Sequence, residues 1–199
     1  MATRRAEQKA RTRARVLEAA RATFEALGYD GTTIATVAER AGVSAGTVMA
    51  HFPDKSALVA ASFHEAIEEV MQEALQTLPD GDLLARLLHV SERLYHYYGR
   101  NPSLSRALVR EATFMEGPAT EPLREQIERH FAWLGQELGA AAAAGALEPA
   151  LASQVGVLGY WADYYLVLLM GLQEVPLPLD EQVALLDALL RARLRPPAG

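Results

Sequence analysis

Apolar residues recur at spacings of three and four along nearly the whole chain, and each run stops at a glycine or a proline. That pattern admits amphipathic helices and little else. Val16, Ala20, Phe24 and Leu27 share one helical face ahead of Gly28. Thr33 is placed to cap a short second helix whose inner face is Ile34, Val37, Ala38 and Ala41, closed by Gly42. Ser44 can cap a third that carries Val48 and Phe52 inward. Pro53 ends it, and Asp54 can cap a long connector from about Lys55 to Leu78. Further helices are expected over Asp82–Tyr98, from Asn101-Pro102 to before Gly117, over Thr120–Ala144, Pro149–Leu172 and Asp180–Arg195. The reading is an all-α chain of about nine helices, with a small head over residues 1–55 and a larger helical domain over 56–199.

A chain of 199 residues is long enough to bury a core without a staple. It has no cysteine, which excludes a disulfide framework, a thiol nucleophile and cysteine-ligated metal, and fits a reducing, cytoplasmic setting. Met1 leads into arginines with no apolar stretch behind them, which is not the pattern of a secretory leader. The formal net charge of -6 hides an asymmetry. Residues 1–55 carry Arg4, Arg5, Lys9, Arg11, Arg13, Arg15, Arg21, Arg40 and Lys55 against Glu7, Glu18, Glu25, Asp30, Glu39 and Asp54, a basic head on an acidic body. Clustered cations act locally whatever the overall sign, so the head suits a polyanion, and a solvated basic arm is the alternative.

The most informative stretch is Thr32 to Phe52: a short helix, the turn Ala41-Gly42-Val43-Ser44, and a second short helix. Glycine permits the tight turn, Val43 can plug the angle between the helices, and Ser44 can satisfy amides at the start of the next one. This is the spacing of a helix-turn-helix, whose second helix can lie in a major groove with its N-terminal residues at the base edges.

Arg15-Val16-Leu17-Glu18-Ala19-Ala20, Phe24, Gly28-Tyr29, Thr32-Thr33, Val37-Ala38, Ala41-Gly42-Val43-Ser44, Gly46-Thr47-Val48, His51-Phe52, Lys55 and Leu58 together resemble the N-terminal domain of the TetR family of transcriptional regulators. Beyond these residues the resemblance is architectural. It implies a helix-turn-helix DNA-binding domain joined by a long connector helix to a helical domain that binds a ligand and dimerises through its last two helices. It places Ser44, Ala45, Gly46, Thr47, Met49 and His51 on the recognition helix, makes Thr32, Thr33 and Lys55 phosphate contacts, and sends the basic arm, Arg4 to Arg15, to the DNA backbone or minor groove. Met49 departs from the family, which usually has tyrosine there. A tyrosine hydroxyl can donate to a phosphate and a thioether cannot. With so few donors on the helix, sequence would be read by Thr47, His51, apolar contact with thymine methyls and DNA shape.

Gly42-Val43-Ser44-Ala45-Gly46 also fits the G-x-S-x-G pattern of a hydrolase elbow, but that chemistry needs a strand entering the turn, and here a helix precedes it. No enzymatic activity, cofactor or metal is expected. His89 and His96, with Arg93 between them, share one helix face, either solvated or turned to a ligand, and lack a third metal ligand. Phe114, Met115, Trp133, Tyr160, Trp161, Tyr164 and Met170 supply apolar and aromatic material for a core or a pocket. His89, Arg93, Phe114, Trp133, Tyr160, Asp163 and Tyr164 are the candidate ligand residues. Asp163 is costly to bury alone, so it should meet an arginine, accept from tyrosines or face a ligand, a cationic one included.

Val155–Leu172 is apolar on nearly every face, at the lower limit of a membrane span, but a charge sits within it; the alternative is a helix with core on one side and a partner subunit on the other. The seam is expected on Ala152–Leu172 and on Val183, Leu186, Leu189 and Leu190, with Arg191, Arg193 and Arg195 as cations suited to the last turn. The expected function is a homodimeric repressor on a palindromic double-stranded DNA operator, released by a small hydrophobic or aromatic effector. The alternative is a helical protein that sequesters small molecules and whose head has lost DNA specificity.

Overall fold

The computed structural model of the chain describes residues 4–114 and 121–194. Among these residues there are nine α-helices and no strand: α1 Arg4–Gly31, α2 Ile34–Ala41, α3 Ala45–Met49, α4 Lys55–Gln76, α5 Leu83–Gly99, α6 Pro102–Phe114, α7 Glu121–Ala143, α8 Gln154–Gly171 and α9 Leu179–Arg193. The expected all-α class is what the structure has. α1 is broken at Gly28, where φ is 70° and ψ is 178°. The basic segment from Arg4 to Arg15 is helical and belongs to α1.

The helix starts follow side-chain caps that satisfy amides with no partner inside the helix. Thr33 Oγ1 accepts from the Thr36 amide, and Thr36 Oγ1 accepts from that of Thr33. Asp54 caps α4 through the Ala57 amide at 2.7 Å, and Asp82 caps α5 through that of Ala85 at 2.9 Å. The stretch from Pro149 is not a single helix. Pro149–Leu151 is a separate 3-10 turn, and the Ser153 hydroxyl donates to the Ala150 carbonyl at 2.7 Å. A serine bonded back to its own backbone offers the chain an alternative to helix, and α8 starts only after it.

The chain divides into two units, residues 1–66 with 103–124 and residues 67–102 with 125–199. The first is built on Val16, Leu17, Phe24, Val37, Val48 and Leu58, all without exposed surface. Leu27, although in register with Phe24, is 52% exposed. α6 joins this unit through Glu111, which accepts from the Ser56 hydroxyl at 2.7 Å.

The second unit is built on Leu87, Val90, Leu134, Leu138, Tyr160, Val167, Leu186 and Leu190, again without exposed surface. Each such aliphatic side chain contributes about 1.5–3 kcal/mol relative to exposure. Arg86 on α5 grips Glu137 on α7 with two bonds of 2.7 Å. Leu186 and Leu190, expected at a subunit seam, face inward. α8 is covered on one side only: Tyr160, Tyr164, Val167 and Leu168 are buried, whereas Val155, Leu158, Leu166 and Leu169 are 40–72% exposed. Gly159 lets α9 close on α8, since a Cβ there would come within 2.9 Å of the Arg193 guanidinium. Among the described residues no helix is long and apolar enough to cross a membrane.

Candidate nucleic-acid interface

α2 and α3 are held at a fixed angle by the three residues between them, Gly42, Val43 and Ser44. Gly42 adopts φ 63°, ψ 39°, a left-handed conformation that glycine takes without a Cβ penalty. The Gly42 amide donates to the Glu39 carbonyl at 3.1 Å and the Val43 amide to that of Ala38 at 3.0 Å, which satisfies two carbonyls at the end of α2. Ser44 then opens α3: its Oγ accepts from the Thr47 amide at 3.1 Å and pairs with the Thr47 hydroxyl at 2.9 Å. The serine of the G-x-S-x-G pattern is thus a helix cap between two helices, with no strand behind it.

Val48 and Phe52 anchor α3 from below, at 0% and 3% exposure. Its outward face is Ser44, Ala45, Gly46, Met49 and Ala50, all exposed, with Thr47 half-buried. Met49 stands out at 56% exposure. This face projects two hydroxyls already bonded to each other, one thioether and no charge. It can offer van der Waals contact and shape to a groove, and few hydrogen bonds.

His51 is half-buried beside the Phe52 ring, 6.2 Å away, and lines a cleft with Arg13, Phe52 and His64. Burial lowers its pKa, and the charges of Lys9 and Arg13 lower it further. At neutral pH it is therefore an uncharged imidazole with one donor and one acceptor nitrogen.

The cations of the head fall into two groups. Arg13 lies 5.3 Å over the Phe52 ring and 3.1 Å from Glu65, which also sits 3.8 Å from Arg21. Arg4, Arg5, Lys9, Arg11 and Arg15 make no ion pair among the described residues, so α1 presents uncompensated charge along its first turns.

The expected phosphate contacts divide as well. Thr33 is exposed at the start of α2, with its hydroxyl shared with Thr36. Thr32 is 1% exposed, and its hydroxyl donates to the Gly28 carbonyl at 2.7 Å. Lys55 Nζ donates to the carbonyls of Tyr29 at 2.9 Å and Thr32 at 3.1 Å, and lies 4.2 Å over the Tyr29 ring. Both residues therefore hold the end of α1 within the protein. Periodicity gives no sign of this, because the carbonyls that Lys55 meets are defined only once Gly28 has broken the helix.

The candidate ligand residues do not form one group. Arg93 pairs with Glu73 on α4 at 2.9 Å, and His89 Nε2 lies 3.1 Å from the Thr77 hydroxyl. Asp163 is 7% exposed and bound by Arg193 through two bonds of 2.7 and 2.9 Å. It takes the structural pairing, and the Arg193 pKa is raised by that hydrogen bond. The side chain of Phe114 and the whole of Met115 lie outside the described residues, as does Arg195.

What the structure does assemble is aromatic. Tyr164 stacks between Tyr95 at 5.2 Å and Tyr160 at 6.1 Å, and Tyr160 stacks on His130 at 6.3 Å. Trp133 meets His130 edge-on at 5.6 Å, and Trp161 meets it at 5.9 Å. Burial pushes the Tyr160 phenol up to about 12, its hydroxyl lying 2.8 Å from that of Ser91.

Residues 16–62, which include both short helices and the caps just described, match the family described as bacterial regulatory proteins, tetR family. This segment carries the TetR-family N-terminal domain. An HTH-type transcriptional repressor of Mycobacterium tuberculosis is 28% identical over 126 residues, 57% of this chain and 65% of that protein. TtgR of Pseudomonas putida, an HTH-type transcriptional regulator, is 32% identical over 115 residues, 48% of this chain and 55% of its own length. The chain thus spans between about half and two thirds of the length of these two relatives. Among solved TetR-like structures, the fatty acid degradation regulator FadR of Bacillus halodurans superposes with a TM-score of 0.72 at 16% identity, covering 91% of this chain and 98% of that one. Thermus thermophilus FadR, a TetR-family repressor in complex with lauroyl-CoA, gives 0.70 at 22% identity, over 94% and 97%. At such identities the likeness is one of fold.

Proposed function

We propose that the chain is a cytoplasmic, ligand-responsive DNA-binding transcriptional regulator, a repressor that acts as a homodimer. The observation that carries this reading is α3, a helix capped at its start by Ser44, fixed from below by Val48 and Phe52, with its whole outward face open. Such a helix can enter a major groove while the unpaired cations of α1 meet phosphates. Thr33, Ser44, Ala45, Gly46, Thr47, Met49 and His51 are the residues assigned to that surface. Thr32 and Lys55 support it from inside.

Dimerisation is supported by α8. Val155, Leu158, Leu166 and Leu169 fall on one face and are exposed together, an apolar stripe that a second copy can cover. Two-fold pairing gives two recognition helices and a palindromic operator with half-sites about one helical turn, 34–36 Å, apart or somewhat more. An effector can release the DNA only if it binds the two conformations with different affinity. α4, whose residues are divided between the two units, is one covalent route for that coupling.

The test is a titration of the purified chain against the DNA flanking its own gene and against an unrelated duplex, at low and near-physiological salt. Preference for the flanking DNA that survives the higher salt is the expected result. Equal, salt-sensitive binding to both duplexes would leave only non-specific phosphate affinity. Ligand binding with no DNA preference would instead identify a sequestering protein.

A further inference from the structure

Two polar atoms of the second unit are buried without a hydrogen-bond partner: His130 Nε2 and Trp133 Nε1. They stand one turn apart on α7, in rings whose centroids are 5.6 Å apart and whose planes cross at 89°. His130 is 7% exposed, and burial brings its pKa down to about 4, so the imidazole is neutral at physiological pH. One of its ring nitrogens donates and the other accepts, whereas the indole only donates. Buried polar groups in folded proteins are nearly always bonded, so two orphans side by side call for a partner. The surroundings supply rings: Tyr160 lies 6.3 Å from His130, Trp161 lies 5.9 Å from it, and Phe131 lies 5.2 Å from Trp161. Two charges carried by α8 and α7 are already paired, Asp163 with Arg193 and Arg129 with Glu68.

We propose that His130 and Trp133 are the polar anchor of the effector site, and that they take an uncharged molecule presenting one hydroxyl or ketone oxygen to the two nitrogens, with an apolar body laid against Tyr160 and Trp161. A hydroxyl accepts from Trp133 Nε1–H and donates to His130 Nε2. A ketone accepts from both, with the imidazole proton on Nε2. A carboxylate head would have to be buried against a neutral ring, and a cationic one would have to compete with Arg193 for Asp163. The regulatory meaning of this site rests on the effector-responsive reading above, but binding at the site can be measured without it.

Calorimetric titration of the full chain with para-propylphenol, benzylacetone, propylbenzene and para-propylbenzoate tests the assignment. The phenol and the ketone are expected to bind at least about tenfold more tightly than propylbenzene, the worth of one good buried hydrogen bond, and more tightly than the carboxylate. Trp133→Phe and His130→Phe should each lose that preference, with the affinity for propylbenzene retained and the melting temperature held or raised. Should His130→Phe fail to fold, Trp133→Phe carries the comparison. Oxygenated probes that bind no better than propylbenzene, or not at all, overturn the assignment and leave buried water as the partner of the two nitrogens. Anchored binding by a chain with no operator preference would sink the regulator reading and leave the site standing. Operator preference without anchored binding does the reverse.

Discussion

The ammonium of Lys55 lies 2.9 Å from the Tyr29 carbonyl and 4.2 Å from the centre of the Tyr29 ring, closing the end of α1 from the first residue of α4. A cation at a helix C-terminus and over an aromatic face is stabilising on both counts. Lys55→Met, which keeps the aliphatic stem, should therefore lower stability in urea by about 1–2 kcal/mol with no DNA present. An unchanged unfolding midpoint would show that the ammonium holds nothing inside the protein and would return Lys55 to the phosphate contacts.

This residue marks the limit of what the chain discloses before it folds. Local devices were legible: the caps at Thr33, Ser44 and Asp54, the turn at Gly42 and the order of the helices all follow from near-neighbour chemistry, and each is present. Partners 26 and 30 residues apart, Lys55 with Tyr29 and Arg193 with Asp163, were not, because helical periodicity names a face without naming what lies against it. Asp163 was readable as a carboxylate in need of a partner but not as the partner of Arg193. Leu27 shows the same limit in reverse, an apolar residue in register with Phe24 that is left exposed. Trp133 was readable as a candidate ligand residue, but its unmet hydrogen bond beside that of His130 was not, since an unmet hydrogen bond is a property of packed neighbours.

The pair between Asp163 and Arg193 supports a second prediction. The carboxylate side chain is 10% exposed and the guanidinium 40%, so removing the cation strands a buried charge while removing the anion leaves the arginine able to turn to water. Arg193→Met should cost about 2–3 kcal/mol and Asp163→Asn less, about 1–2, with the double variant more stable than Arg193→Met alone. Chemical denaturation of the three proteins checks the order. Additive losses in the double variant would mean that the two groups do not depend on each other.

Acid should act on the second unit through His130. Its folded pKa of about 4 lies below the model-peptide value of 6.5, so between these limits the unfolded chain binds a proton that the folded chain does not. Stability contributed by the neutral ring is complete above the unfolded value and is lost as pH falls toward 4. The loss amounts to about 2 kcal/mol by about pH 5 and about 3 near pH 4. Denaturation midpoints of the parent and of His130→Phe, followed from neutral to acid pH, should diverge from parallel over this range. Curves that remain parallel would remove His130 from the acid response.

The outward face of α3 has one more consequence, for how such a surface changes over generations. Ala45, Gly46, Met49 and Ala50 carry no side-chain hydrogen bond there, so a polar replacement at any of them adds a hydrogen-bonding element without deleting one. Side chains that already make base-specific bonds must be lost before a new preference is gained, and the intermediate binds neither sequence well. A nearly blank helix, framed by a rigid cap and a buried floor, has no such valley to cross, and duplicated copies can drift to new operators one substitution at a time.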